Sequence, residues 1–316
     1  MSRQKPIVVV GSINTDLVAV TERIPAIGET VTGADFQIHP GGKGANQAVA
    51  VARLGYPVRL IGRLGSDVFG TQLKTHLESA CVDIAGVATS EGTSGVAVIV
   101  VSEQGENIIV VTPGANAKVT PQDLEANIEI VRQAGIVLAQ LEIPLETVEY
   151  LASICAREGV PLILEPAPAR NLPRGIFKQI AWITPNQTEA AFYSGSENGS
   201  GQTRDAAEMA RLILAKGSRG VVLKMGEHGA YLASQEGIAE LIPAFHVKAI
   251  DTTAAGDAFN GGFATGLMRG MPPLESARFA SAVAAISVTR SGAQPSMPTA
   301  LELDRFLEES YSFRAY

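Results

Sequence analysis

The second half of this 316-residue chain alternates short apolar segments with amphipathic ones, and no other feature constrains the fold as strongly. Residues 136–139 and 161–164 are typical of buried strands, and residues 145–157 between them have the length and periodicity of a helix. Strands separated by such helices form βαβ units, so we expect a largely parallel sheet. The same pattern predicts strands at 7–10, 58–61, 181–184 and 220–224, and helices at 44–54, 69–80, 203–216, 257–269, 274–289 and 300–309.

Two stretches, at about 15–40 and 94–112, depart from this alternation. The first contains short β-like pieces separated by Pro and Gly. In the second, residues 95–101 and 107–111 flank a turn-like segment, which predicts a hairpin. Such pieces would not fit inside a parallel sheet. We therefore predict a separate small β layer that covers one end of the sheet as a lid.

Composition excludes several classes of protein. Hydrophobic residues make up 46% of the chain and charged residues 18%, which is typical of a folded α/β protein and excludes a disordered one. A net charge of −7 argues against broad nucleic-acid binding, but a few local cations and amides suffice for a small phosphorylated ligand. No apolar run approaches the roughly 20 residues of a membrane helix. We expect neither a nucleic-acid nor a membrane partner.

The N-terminus and the cysteines bear on the cellular compartment. The chain enters its first strand at residue 7, which leaves no room for a signal peptide. Cys81 and Cys155 lack metal-ligand spacing and lie in helix-like or mixed apolar contexts, so we predict two buried free thiols. Together these features predict a cytoplasmic protein.

The sequence Asp-Thr-Thr-Ala-Ala-Gly-Asp at 251–257 is the strongest functional signal. It follows a strand-like segment at 244–250 and opens a helix with apolar residues at Phe259 and Phe263. Small residues at a helix start leave backbone N–H groups uncovered, which favours an anion such as phosphate. An acid at that turn, Asp257, is best explained as the base for a hydroxyl that attacks phosphorus. The alternative is a helix N-cap in a glycine-rich turn.

The sequence Gly-Gly-Lys-Gly-Ala-Asn at 41–46 superficially resembles a Walker loop. Gly44 stands where that loop needs Ser or Thr for magnesium, and the upstream glycine is missing, so a P-loop is rejected. A Gly-Gly turn remains, with Lys43 and Asn46 as donors at a helix start. These donors suit the hydroxyls of a polyol or a phosphate. A turn needed only for packing is the alternative.

Polar residues also follow several predicted strands, where ligands of open α/β sheets bind. Asp16, just past the first strand, could accept two hydrogen bonds from adjacent sugar hydroxyls, or it could close an Asx turn. Asn186 and Glu189 lie three apart at a helix start and could hold hydrated magnesium, although this spacing is also that of a capping box.

Two further loops carry weaker signals. At 223–229, Gly226 and Gly229 would let the backbone approach a nucleotide and Lys224 could face its phosphates, whereas a plain β-turn is the alternative. At 287–296, a helix ends in a Gly/Pro/Ser loop whose carbonyl and hydroxyl oxygens could hold a monovalent cation, although a surface loop is the default.

In order along the chain, these motifs closely resemble the ribokinase-like, or phosphofructokinase-B type, family of carbohydrate kinases. The residues that carry the resemblance are Asn-Thr-Asp at 14–16 and the motifs at 41–46 and 251–257, and the match covers essentially the whole chain. It implies a single α/β domain over 1–316, with a doubly wound, mostly parallel sheet and helices on both faces. The small β-sheet lid at 15–40 and 94–112 would pair with the lid of a second subunit in a homodimer.

The resemblance also implies ATP-dependent phosphorylation of D-ribose at O5, with Mg²⁺ and an activating K⁺. Fructose, deoxyribose or a nucleoside is the alternative substrate, and a non-catalytic sugar or nucleotide sensor is the alternative class of protein. Small residues at 19–21 and polar ones at 14 and 16 favour a free sugar. Ser281 stands where family members often carry Asn or His near the adenine, and Lys224 where Thr is common.

The resemblance assigns a role to each site residue. The ribose site would comprise Asn14, Asp16, Gly41, Gly42, Lys43, Asn46 and Glu142, with Asp257 as base and the amides of Ala254, Ala255 and Gly256 as anion hole. The ATP site would comprise Asn186, Lys224, Met225, Gly226, Glu227, His228, Gly229, Gly256 and Ser281. Glu189 would serve magnesium through water, and the cation site would comprise Asp251, Thr253, Ser287, Arg290, Gly292 and Ser296.

Overall fold

A computed structural model describes residues 4–195 and 205–312. Its strands are β1 Ile7–Val10, β2 Asn14–Thr21, β3 Gly33–Gly41, β4 Val58–Gly65, β5 Asp83–Ser90, β6 Gly95–Ser102, β7 Asn107–Thr112, β8 Ile136–Ala139, β9 Leu162–Leu164, β10 Trp182–Ile183, β11 Gly220–Lys224, β12 Ala230–Ser234 and β13 Ala239–Ile242. Its helices are α1 Lys43–Arg53, α2 Val68–Ser79, α3 Pro121–Ala126, α4 Ile128–Arg132, α5 Leu145–Glu158, α6 Gln187–Ser194, α7 Ala206–Leu214, α8 Ala255–Met268, α9 Pro273–Ser287 and α10 Ala300–Ser312.

Nine strands of the described chain form a large sheet in the order β13-β12-β11-β10-β9-β8-β1-β4-β5. The strands from β11 to β5 pair in parallel, and β12 and β13 extend the sheet as antiparallel edge strands. The order reverses at β1, which lies between β8 and β4. Reversals of this kind leave a crevice beyond the carboxyl ends of the strands, where α/β proteins bind ligands.

The large sheet has a hydrophobic core on each face. Along β1, Ile7 and Val9 face a core that includes side chains of α1, α2, α8, α9 and α10, whereas Val8 and Val10 face a core formed with α3 to α7. Because successive side chains of a strand point to opposite faces, a strand covered on both sides must be apolar throughout. The fold is therefore the predicted doubly wound α/β architecture with helices on both faces.

Four strands form a separate small sheet in the order β3-β2-β6-β7. The predicted hairpin is confirmed, since β6 and β7 pair antiparallel, and β6 also pairs in parallel with β2. All six residues of β7 are exposed. The small sheet leads into α1, because β3 ends at Gly41 and α1 begins two residues later.

Two expectations were wrong. Residues 244–250 form no strand, because β13 ends at Ile242 and Pro243, which lacks a donor N–H, follows it. Cys81 is exposed rather than buried, since it lies just past α2 in a left-handed conformation with φ of +63°, whereas Cys155 on α5 is buried as expected. Of the predicted helix at 203–216, residues 203 and 204 lie outside the described chain. Within residues 4–195 and 205–312, no helix is both long and apolar enough to cross a lipid bilayer.

Candidate active site

A cavity of about 740 Å³ opens beyond the carboxyl ends of β10 and β11, next to the N-terminus of α8. One wall is formed by the segment that follows Pro243, from Ala244 to Ala249. The residues predicted for the site that line the cavity are Lys43, Asn186, Glu189, Lys224, Gly226, Glu227, Gly229, Ala254, Ala255, Gly256, Asp257 and Ser281. The cavity therefore joins four of the motifs that the sequence singled out.

The turn before α8 has an unusual backbone. Ala254 has φ of +58°, a left-handed conformation that costs a non-glycine residue free energy and that clusters at functional sites. Its carbonyl accepts the Ala258 N–H at 2.9 Å, and the Ala255 N–H donates to the Thr252 carbonyl at 3.2 Å. The remaining amides of the first turn have no acceptor within the helix, so the α8 N-terminus can bind an anion. The Ala255 amide, which was predicted to form part of the anion hole, therefore already donates a hydrogen bond within this turn.

Asp257 lies in the first turn of α8 and is 3% exposed. Its Oδ2 accepts from Asn46 Nδ2 at 2.9 Å and its Oδ1 from Gln47 Nε2 at 3.0 Å. Burial raises the pKa of Asp257 to about 7, with the carboxylate of Glu165 acting in the same direction and the ammonium of Lys43 against it. A carboxyl group with a pKa near neutrality is suited to accept a proton during a reaction.

Glu165 is a site residue that the sequence reasoning missed. It follows β9 directly and is 4% exposed, and its Oε1 lies 2.7 Å from Lys224 Nζ and 3.8 Å from Lys43 Nζ. Burial opposes ionisation, but the two ammonium groups outweigh it and lower the pKa of Glu165 below its ordinary value. Its position directly after a predicted strand could have identified it from the sequence, because the same criterion had selected Asp16. Gln47, next to Asn46 on α1, was missed as well.

The predicted sugar-binding residues lie where the small sheet meets α1. Asn14 is buried, and its Oδ1 accepts from Asn116 Nδ2 at 2.7 Å. The Glu142 carboxylate accepts from Ser12 Oγ at 2.5 Å and from the Lys43 N–H at 3.2 Å. Burial, and secondly the charge of Glu142, raise the pKa of Asp16 to about 6. Carboxylates and amides grouped in this way can accept and donate hydrogen bonds to a polyol.

Two glycines at the entrance to α1 have steric reasons for their presence. A Cβ on Gly41 would lie 2.2 Å from Asp16 Oδ2, so a side chain there would displace that carboxylate. Gly42 has φ of +87°, and a Cβ would lie 2.6 Å from the backbone nitrogen of Asn14. Glycine therefore allows the start of α1 to approach the first strand of the small sheet.

Only some of the residues that were predicted for the nucleotide site line the cavity. Asn186 and Glu189 line the cavity, and they also form the capping box of α6, with Asn186 Oδ1 accepting from the Glu189 N–H at 2.8 Å. Burial raises the pKa of Glu189. Met225 instead packs in the core, and His228 is an exposed loop residue, so neither side chain lines the cavity. The backbone turn at 226–229 brings Gly226, Glu227 and Gly229 to it.

The residues predicted for a monovalent cation lie in the turn before α8, at the last residue of α9 and in the loop that follows α9. The Asp251 carboxylate accepts from the N–H groups of Thr253 and Gly292, both at 2.8 Å, and so joins the turn before α8 to the loop after α9. Ser287 and Ser296 donate their hydroxyls to nearby carbonyls at 2.8 and 2.7 Å, which leaves the hydroxyl oxygens free to accept. The Arg290 guanidinium is directed to Glu302 at 2.7 Å, so only its backbone could serve a cation.

Comparison with known proteins identifies the family. The model of the pfkB family carbohydrate kinases matches residues 4–300. The chain belongs to the pfkB family of carbohydrate kinases. A ribokinase of Haemophilus influenzae is 42% identical over 308 residues, covering 97% of this chain and all of the relative. One from Bacillus subtilis is 40% identical over 302 residues, covering 95% of this chain and 99% of the relative.

Solved structures of ribokinases share the fold. The structure of Arabidopsis thaliana ribokinase complexed with ribose and ATP superposes with a TM-score of 0.88 at 33% identity, covering 97% of this chain and 99% of that one. The predicted ribokinase-like architecture with a separate small sheet is thereby confirmed.

Proposed function

We propose that the chain transfers the γ-phosphoryl group of ATP to the 5-hydroxyl of D-ribose, giving D-ribose 5-phosphate and ADP. One observation carries the proposal: the buried Asp257 carboxyl stands at the N-terminus of α8, between the cavity and the polar cluster at the start of α1. Ribokinases from two bacteria at about 40% identity, and one solved with ribose and ATP, support ribose and ATP as the substrates.

The site geometry accounts for the chemistry. Asp257 would accept the proton of the sugar hydroxyl as its oxygen bonds to the γ-phosphorus and the bond from phosphorus to the ADP oxygen breaks. The free amides in the first turn of α8 would stabilise charge on the transferring group. Asn46 and Gln47 hold both Asp257 oxygens and so orient the carboxylate toward the incoming hydroxyl.

Two metal ions fit the residues present. Each oxygen of the Glu189 carboxylate accepts one hydrogen bond from Asn186, which leaves lone pairs for the water molecules of a hydrated Mg²⁺ that would neutralise phosphate charge. Asp251, with the carbonyl and hydroxyl oxygens of the loop at 287–296, would hold K⁺ and strengthen the connection to the turn before α8.

The small sheet is proposed as the lid, and its outer face as a dimer interface. The strand register places Asp16 on the same face as His39 and Ala97, toward the sugar. The opposite face is apolar and exposed at Phe36, Ile38, Val98, Ile108 and Val110. A contiguous exposed apolar face on a sheet favours association with a second copy, which would complete a homodimer.

A substrate panel tests the proposal. ADP release would be measured with D-ribose, 2-deoxyribose, fructose and nucleosides, each with and without potassium, and phosphorus NMR would locate the new ester. We expect the highest kcat/KM with D-ribose, esterified at O5. A higher kcat/KM with another sugar or a nucleoside would reassign the substrate, and ribose binding without ADP formation would indicate a sensor. No part of the proposal requires nucleic acid or a membrane, and we place the enzyme in the cytoplasm.

A further inference from the structure

Glu165 divides its two carboxylate oxygens between two sets of partners. Oε1 lies 2.7 Å from Lys224 Nζ and 3.8 Å from Lys43 Nζ. Oε2 accepts from Gln47 Nε2 at 2.7 Å. The same Gln47 nitrogen donates to Asp257 Oδ1 at 3.0 Å. One buried acid therefore connects both lysines of the cavity to the carboxylate proposed as the base.

We propose that Glu165 is a positioning residue for phosphoryl transfer: it holds the Lys224 ammonium beside the first turn of α8 and, through Gln47, orients the Asp257 carboxylate. This role deepens the proposed kinase function and rests on it. Glu165 itself needs no contact with sugar or nucleotide.

The position of Lys224 requires a counter-charge. A Cβ built on Gly256 would lie 3.1 Å from Lys224 Nζ and 3.3 Å from Glu165 Oε1, so the ion pair stands directly against the start of α8. The positive end of the helix dipole repels a cation there, and taking an ammonium group out of water is unfavourable. The Glu165 carboxylate offsets both effects. Lys224 is thereby kept where the negative phosphoryl group would arrive, so cation and helix amides act on the same oxygens.

The orientation of Gln47 is also determined. Gln140 Nε2 donates to Gln47 Oε1 at 2.7 Å, so the Gln47 nitrogen must face the two carboxylates. Gln47 then keeps Glu165 and Asp257 at a defined separation through one shared donor. Besides Glu165, the titratable side chains that line the cavity with Asp257 are Lys43 from α1, Glu189 from α6, Lys224 from β11, Glu227 from the turn after β11 and His246 from the segment after Pro243. Among these carboxylates, Glu165 is the one connected to Asp257 through Gln47, and its charge opposes ionisation of the base.

The substitution Glu165→Gln would disrupt either the contact with the lysines or the contact with Gln47, and it keeps the size of the side chain. A glutamine offers one acceptor oxygen, so it can serve either the lysines or Gln47, while its NH₂ group would face a donor on the other side. We expect kcat/KM for ribose to fall about 10- to 100-fold because the reacting groups lose their alignment. We also expect the acid limb in the pH dependence of kcat/KM to move to a pH lower by about one, since a like charge near Asp257 is removed.

Asp123→Asn provides the matched control, because it neutralises the carboxylate of a partly buried ion pair with Arg63 away from the cavity. This variant should lose stability but keep the wild-type acid limb. If Glu165→Gln kept both the acid limb and a kcat/KM within about threefold of wild type, the positioning role would be wrong. A fall in kcat/KM with the acid limb unmoved would also contradict it, because a merely structural defect gives that result.

A thermal unfolding cycle tests the arrangement without turnover. Glu165→Gln and Lys224→Met should each lower the Tm, since each removes one partner of the 2.7 Å ion pair, and the double variant should recover most of the loss. Additive losses would overturn the proposal. If the wild type formed no ADP with any sugar, the proposed function would fail, yet a non-additive cycle would still support the Glu165 arrangement and an additive one would still refute it.

Discussion

The Asn46 side-chain amide donates to Asp257 Oδ2 at 2.9 Å, although 211 residues separate the two along the chain. Asn46 lies in the first turn of α1 and Asp257 in the first turn of α8, so two helix N-termini meet at this bond. Gln294, in the loop after α9, donates to Asn46 Oδ1 at 3.0 Å. The orientation of the proposed base therefore depends on three distant segments, and its chemistry can be tested one group at a time.

Asp257→Asn should abolish the base while keeping the shape of the site. An amide cannot accept the hydroxyl proton, and loss of a general base typically costs about 10²- to 10⁴-fold in turnover. We expect a fall of this size in kcat by coupled ADP release, and a ribose dissociation constant within about threefold of wild type by calorimetry. Turnover close to wild type would remove Asp257 from the role of base.

The pH dependence of kcat/KM for ribose should reveal two carboxyl groups with raised pKa values, the buried Asp257 and the half-buried Asp16. Burial raises the pKa of Asp257 to about 7 and that of Asp16 to about 6. The base must be ionised, so kcat/KM should decline as the pH falls through about 7, and more steeply below about 6 as Asp16 is protonated. Asp16→Asn should leave only the first decline. A profile that stays level between about pH 5.5 and 8 would contradict both assignments.

Much of the fold could be predicted because β1 is uniformly apolar, β11 carries no polar side chain before its last residue, Lys224, and the segments between strands have helical periodicity. Periodicity does not specify which strands pair. Residues 244–250 have a composition that suits a strand and were therefore predicted to form one. In the structure Pro243 precedes them and no neighbouring strand pairs with them. Cys81 was misplaced for a related reason, because its burial depends on where α2 ends.

The candidate site was predicted where backbone geometry demands particular residues. The turns before Asp257 and Lys43 require small residues or glycines, so both turns could be recognised from the sequence. Glu165 and Gln47 occupy ordinary strand-end and helix positions, and their roles arise only from contacts 118 residues apart. Met225 and His228 were included because their neighbours in the turn face the cavity, but the turn directs one into the core and the other into solvent.

Gly41→Ala should weaken ribose binding through Asp16. The added Cβ would lie 2.2 Å from Asp16 Oδ2, so the carboxylate must move away. Hydrogen bonds to a charged group contribute about 1.5–3 kcal/mol, which predicts a rise of about 10- to 100-fold in KM for ribose. Gly175→Ala is the matched control, because a Cβ there meets no atom within 4 Å. An unchanged KM for ribose would show that Asp16 does not bind the sugar.

Val110→Glu should dissociate the proposed dimer. Val110 is 59% exposed on the apolar face of the small sheet, and a carboxylate buried there without a partner would oppose association. Sedimentation velocity should show a dimer for wild type and a monomer for this variant. Leu301→Glu on α10 is the control, since Leu301 is 60% exposed but lies outside the small sheet. A wild-type monomer at the concentrations of the activity assay would refute the interface.

Asp251→Ala should remove activation by potassium. The Asp251 carboxylate connects the turn before α8 to the loop after α9 through two N–H groups, and it is the only acidic side chain among the residues assigned to the cation. Without it, K⁺ would lose its charged ligand and could no longer draw the two loops together. We expect the ratio of kcat in potassium to kcat in tetramethylammonium, at equal ionic strength, to fall to about one.

Asp205→Ala is the control for this prediction, because it removes an aspartate that likewise caps a backbone N–H, at the start of α7, and it should keep the wild-type ratio. The ratio separates cation binding from general damage to the loop, because damage lowers kcat in both salts. A wild-type ratio in Asp251→Ala would place the cation elsewhere.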